Sequence, residues 1–125
     1  MNSLEIGLNL DSEISETDSN TLACEIIQSN QSETEETITN IAFALYNIAQ
    51  YRTSGVGYSE MASDLISDWI ERVFDEDKKS SEKLADIVFE LTSKKSDELV
   101  KRLYQKTNDK YLKATLLEAL SYKGT

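Results

Sequence analysis

Residues 58–77 read YSEMASDLISDWIERVFDED. At about 100° per residue, Met61, Ala62, Leu65, Ile66, Trp69, Ile70, Val73 and Phe74 fill an arc of roughly 220°. An ordinary surface helix shows an apolar stripe of roughly 100°. The spacing therefore predicts a central helix over 59–77, with neighbours packed on more than one side. The remaining arc carries Glu60, Asp64, Asp68, Glu71 and Asp75 within about 80° of one another. They form a row of five carboxylates with no lysine among them. Like charges four residues apart each cost about 0.2–0.5 kcal/mol. A helix selected for stability alone would interleave lysines there, so the ridge is the first candidate for a function.

Upstream, residues 33–52 predict the clearest helix. Ile38, Ile41, Ala42, Leu45, Ile48 and Ala49 make a regular apolar stripe. Ser32 and Glu35 have the spacing of a capping box. Glu33, Glu35 and Glu36 sit in the first turn, where the helix dipole favours negative charge, and Arg52 lies near the negative end. Gly55 and Gly57 mark a loop, and Ser59 is the next N-cap. Leu22, Ile26 and Ile27 predict a short helix over 22–29, although the β-branched pair also suits a strand; Asn30 and Gln31 break it. In residues 1–21, Leu4, Ile6, Leu8 and Leu10 alternate with polar residues or glycine in a strand period, with no second strand to pair with. This segment is expected to be an acidic mobile tail or an extended arm lying on the helices, looped over 12–20, apart from a helical domain of residues 22–125.

Downstream, Asp75, Asp77 and Asp86 match three positions of a calcium loop. Lys79 and Ser80 occupy places where that loop needs a ligand and a glycine, so 75–79 reads as a charged link between helices. Three short helices follow, over 81–93, 97–106 and 109–121. Lys94 and Lys95 are expected to close the first, and Ser96 to cap the second. Tyr111, Leu112, Leu116, Ala119 and Leu120 supply the apolar positions of the third. The fold expected is all-α, a single irregular bundle of five or six helices. SEKLADIVFEL (81–91) and DELVKRLYQKTNDKYLKATLLEAL (97–120) resemble the helical pairs of HEAT-type repeats. The resemblance covers roughly the last 45 residues, rests on apolar spacing and the ending LLEAL, and implies HEAT-like hairpins at that end.

Composition narrows function. The 125 residues contain no proline and no histidine, one cysteine, and a net charge of −10. Absent histidine removes Ser-His-Asp and Cys-His nucleophiles as usually built, and one cysteine cannot hold zinc. Cys24 reads as a small semi-buried residue. A magnesium site on paired ridge carboxylates is the only metal chemistry left, and no cofactor or metal is expected. No run is apolar enough to span a bilayer and the sequence shows no basic-then-apolar start resembling a signal peptide, so a cytoplasmic protein is expected. Residues 1–51 carry nine acids and no base; residues 78–125 carry seven acids against eleven bases. Such acidity opposes nucleic acid and anionic membranes and attracts basic proteins. Lys94, Lys95, Lys101, Arg102, Lys106, Lys110 and Lys113 are interleaved with acids and suit helix ends and i,i+4 pairs rather than phosphate. Trp69 reads as core.

The profile is similar to that of small acidic bacterial immunity proteins and nuclease inhibitors, without a shared motif. It implies a non-catalytic protein that docks on a basic partner, such as a toxin or nuclease. The expected contacts are Glu60, Asp64, Asp68, Glu71 and Asp75, with Tyr51 and Tyr58 beside the glycine loop. The alternatives are a helical adaptor that binds through apolar surface and a carboxylate-metal enzyme.

Overall fold

The computed structural model describes residues 1–30, 32–53, 55 and 57–124. Among them lie seven α-helices: α1 (Ser3–Leu8), α2 (Glu16–Ser29), α3 (Glu35–Tyr51), α4 (Glu60–Val73), α5 (Ser80–Ile87), α6 (Lys94–Lys106) and α7 (Lys110–Lys123). One 3-10 turn, Val88–Glu90, extends α5. The chain is an all-α bundle with seven helices rather than five or six, because residues 1–21 hold helix as well.

The helices stack in two layers. α1, α3, α5 and α7 pack in that order in one layer, and α2, α4 and α6 in the other. α1 and α3 meet α2 at one end, and α7 meets α6 at the other. From α3 onward each helix thus rests on the helix two before it. The interior is lined by Ile26 from α2, Ile41, Leu45 and Ile48 from α3, Ile66, Trp69 and Ile70 from α4, and Leu84 and Leu99 from α5 and α6. Each such side chain contributes about 1.5–3 kcal/mol by leaving water. Small polar residues fill the close approaches: Ser19, Ser63, Ser67, Ser81 and Ser96 are all buried.

The first helix overturns the strand reading of Leu4, Ile6, Leu8 and Leu10. Asn2 caps α1, its Oδ1 accepting from the Glu5 amide at 2.8 Å. Gly7 permits close packing: a Cβ there would sit 3.0 Å from Ile26 Cδ1 and 3.1 Å from Ala44 Cβ. Asn47 of α3 donates to the carbonyls of Gly7 and Leu10 at 2.9 and 3.0 Å, satisfying the end of the helix from outside. The loop expected over 12–20 ends early, at Ser15, whose Oγ accepts from the Asp18 amide and starts α2. Ile14 pairs in parallel with Arg52, its amide donating to Tyr51 and its carbonyl accepting from Thr53. The segment expected as an arm is therefore folded onto the helices. Gln31, read with Asn30 as a helix break, lies outside the described residues.

Two caps also move. Thr34, not Ser32, caps α3, its Oγ1 accepting from the Thr37 amide at 3.2 Å. Glu35, expected to reach back to Ser32, instead accepts from the amide and hydroxyl of Ser80 at 2.9 and 3.0 Å. Likewise Ser93, in extended backbone, caps α6 by accepting from the Ser96 amide. The chain turns extended at Leu91. Lys94 and Lys95 consequently open α6 instead of closing α5, a placement the helix dipole disfavours.

Candidate functional site

The ridge of α4 does not stand alone. Lys95 of α6 meets both carboxylate oxygens of Asp68 at 3.2 and 3.3 Å. Arg102, two turns further along α6, donates to Glu71 Oε2 through Nε at 3.0 Å and Nη2 at 2.7 Å. The missing lysines are supplied by the neighbouring helix. This explains why Lys95 tolerates the first turn of α6: its partner is Asp68, not the helix dipole. Asp75 lies beyond the end of α4 and serves the turn. Its Oδ1 accepts from the Asp77 amide at 2.9 Å, while its backbone amide and carbonyl are both held by Ser81 Oγ. Glu60 is exposed in the first turn of α4. Asp64 is half-buried, with Oδ1 enclosed and unpartnered. The five carboxylates thus divide into two ion-paired, one in a turn, and two uncompensated at the start of the helix.

The two tyrosines also divide. Tyr51 is half-buried at the end of α3. Tyr58 is only 1% exposed and is no surface contact. Its hydroxyl donates to the Leu45 carbonyl, its amide donates to the Glu90 carbonyl at 2.7 Å, and Arg52 lies over its ring. Tyrosine beside glycines suggested an exposed loop; instead Gly57, at φ 135°, lets the chain press against the Glu90 carbonyl and bury the ring. A Cβ on Gly57 would lie 2.6 Å from that oxygen. Burial pushes the Tyr58 hydroxyl well above its ordinary range, the nearby Arg52 guanidinium opposing only in part.

The arc of α4 is also narrower than its residue types suggest. Met61 is 78% exposed, and Leu65 and Phe74 are half-buried. Ser63 and Ser67 take interior positions in their place. Ser63 Oγ accepts from the Thr92 amide at 2.9 Å and donates to the Tyr58 carbonyl, tying α4 to the segment before α6. Their i,i+4 spacing from Ser59 was the available signal. Tyr111, placed on the apolar side of α7 from its spacing, is 70% exposed.

Sequence reasoning saw the acidity of residues 1–51 but assigned no contacts to its carboxylates outside the ridge. Glu5, Asp11, Glu13, Glu16, Asp18, Glu25 and Glu36 are exposed, and none forms an ion pair among the described residues. Asn20 Oδ1 accepts from the Ser59 amide at 2.8 Å, bringing the acidic start of α4 beside α2. The remaining N-terminal acids serve structure: Glu33 pairs with Arg72 at 3.1 Å, and Glu35 caps α5. The cleft beside them, lined among others by Glu33, Arg72, Asp75, Glu76, Asp77 and Lys78, is of mixed sign. Among the described residues no three carboxylate or thiol groups converge as metal ligands, and no helix is long and apolar enough to cross a membrane. No protein-family model, curated protein or solved structure matches the chain.

Proposed function

We propose that this chain is a non-catalytic binding protein whose acidic side docks on a basic protein partner and covers its working surface, as an inhibitor or immunity protein does. The observation behind this reading is the uncompensated acidity of α1, α2 and the starts of α3 and α4. Seven exposed carboxylates there and on the α1–α2 link form no ion pair among the described residues, and Glu60 and Asp64 extend them. Carboxylates without an internal partner lose less on meeting lysine or arginine than carboxylates already paired. The docking surface therefore centres on α2 and the start of α4, with Asp68 and Glu71 at its margin. Occlusion is the mechanism: the partner's cations, which in a nuclease or toxin contact phosphate, are engaged by carboxylates instead.

The test is Asp11→Asn, Glu13→Gln and Glu25→Gln in one protein. None of the three lies in a helix first turn, where charge supports the fold. The partner captured from source-cell lysate is then bound to wild type and variant at low and high salt. The expected result is unchanged helicity with slower association, the difference fading as salt rises. Binding indifferent to both changes favours the second reading, an adaptor that binds through apolar surface. That reading rests on Phe43 and Tyr122, 49% and 71% exposed, with Lys83 over the rings of Phe43 and Tyr46.

A further inference from the structure

Stacking turns the charge gradient of the sequence into a gradient in space. Because from α3 onward each helix rests on the one two before it, the chain advances from α1 and α2 at one end to α6 and α7 at the other. Residues 3–29, which hold the first two helices, carry six acids and no base. Residues 94–123, which hold the last two, carry eight bases against four acids, net +4. Lys95 and Arg102 are committed to α4, and Lys123 to Leu91 and Asp97. Lys94, Lys101, Lys106 and Lys110 remain exposed and outside the ion pairs of the described residues, against exposed Glu98, Asp109 and Glu118, so this end keeps a small positive excess.

Both ends also keep apolar surface. Leu117 on α7 is 48% exposed and Ile6 on α1 is 40% exposed. The terminal faces of a stack of helical pairs need a polar outer surface to remain in water. Here each is partly apolar, and the two are opposite in sign.

We infer that copies of this chain associate head to tail, the α6–α7 end of one docking on the α1–α2 end of the next. The occupant is a second copy because the excess charges of the two ends are opposite in sign. A two-fold dimer through one end would place like charges together, whereas a heterologous contact that does not close adds copies in an open series. This inference goes beyond the basic-partner reading and depends on residues of α7 that the other does not use.

Sedimentation velocity on the full chain tests it. The expected wild-type behaviour is a weight-average coefficient that rises with concentration past the dimer and falls as salt is raised. Leu117→Glu with Lys110→Gln blocks the basic end; Ile6→Ser with Glu25→Gln blocks the acidic end. All four positions are exposed. Each variant alone should self-associate about tenfold more weakly or less. Their equimolar mixture should form a one-to-one dimer and nothing larger, since each supplies the intact end the other lacks. Should Ile6→Ser alter the circular dichroism spectrum, Glu25→Gln alone carries the acidic-end arm. A wild-type monomer at all concentrations and salts overturns the inference, as does a dimer plateau or a mixture no larger than its components. Loss of self-association in the Leu117 and Lys110 variant with retained binding of the basic partner separates this inference from the proposed function.

Discussion

Tyr58 shows how one residue gathers several elements. Its ring fills the space between α3 and the 3-10 turn, its hydroxyl reaches back to Leu45, and Arg52 over its ring is paired with Glu90 at 3.0 Å. Tyr58→Phe keeps the ring and loses the hydrogen bond, at an expected cost of about 1 kcal/mol at neutral pH. The pH dependence follows from the raised hydroxyl pKa. In the unfolded chain the phenol ionises near its ordinary value of 10.0, while the folded chain keeps it protonated. The stability from the buried neutral phenol is full below that pH and is lost as pH rises above it. Denaturant unfolding should therefore show wild type falling more steeply than Tyr58→Phe above pH 10. Parallel curves would mean that the hydroxyl reaches solvent.

At the scale of the element, α4 and α6 form one electrostatic unit. The ridge viewed as an isolated helix is a set of repulsions, so neutralising Asp68 and Glu71 would stabilise it. The bundle reverses the expected sign, because each carboxylate now has a cation on α6. Asp68 and Lys95 are about half exposed, and exposed pairs of this kind contribute about 0.2–1 kcal/mol. A double-mutant cycle with Asp68→Asn and Lys95→Gln should give a favourable coupling of that size. Zero coupling with a more stable Asp68→Asn would make the ridge a merely solvated face. How much of the elements was legible follows the same line. Periodicity located α3, α4, α6 and α7 within a few residues, because their apolar sides face one shared core. The caps slipped where Thr34 and Ser93 stood beside equally plausible serines. α1 was misread because six residues suit either period, and because Asn47, forty residues away, completes its end.

For the whole molecule, the stacking order decides which charges meet. Residues 1–51 have no basic side chain, and among the described residues the one ion pair to their acids is Arg72 on Glu33. Apart from Glu33 and Glu35, their acids thus stay exposed and outside the ion pairs of the described residues. A metal ion would be the competing occupant. Millimolar magnesium or calcium should leave the melting temperature unchanged beyond charge screening, since a real site would stabilise by RT ln(1 + [L]/Kd). A saturable rise abolished by Asp64→Asn would establish a carboxylate cation site on α4.

Composition and local period were enough for the all-α class, the helices of the middle and end, the buried Trp69 and the charge asymmetry. Each depends on residue type and on neighbours within a turn or two. Which carboxylates stay free depends on contacts across 27 to 45 residues: Lys95 on Asp68, Arg102 on Glu71, Ser80 on Glu35. The burial of Tyr58 likewise needed Gly57 pressed against Glu90. Such pairings arise only when helices are laid beside one another, because a charge or hydroxyl carries no mark of its distant partner. Tertiary packing therefore moved the candidate site from the middle of α4 toward α2.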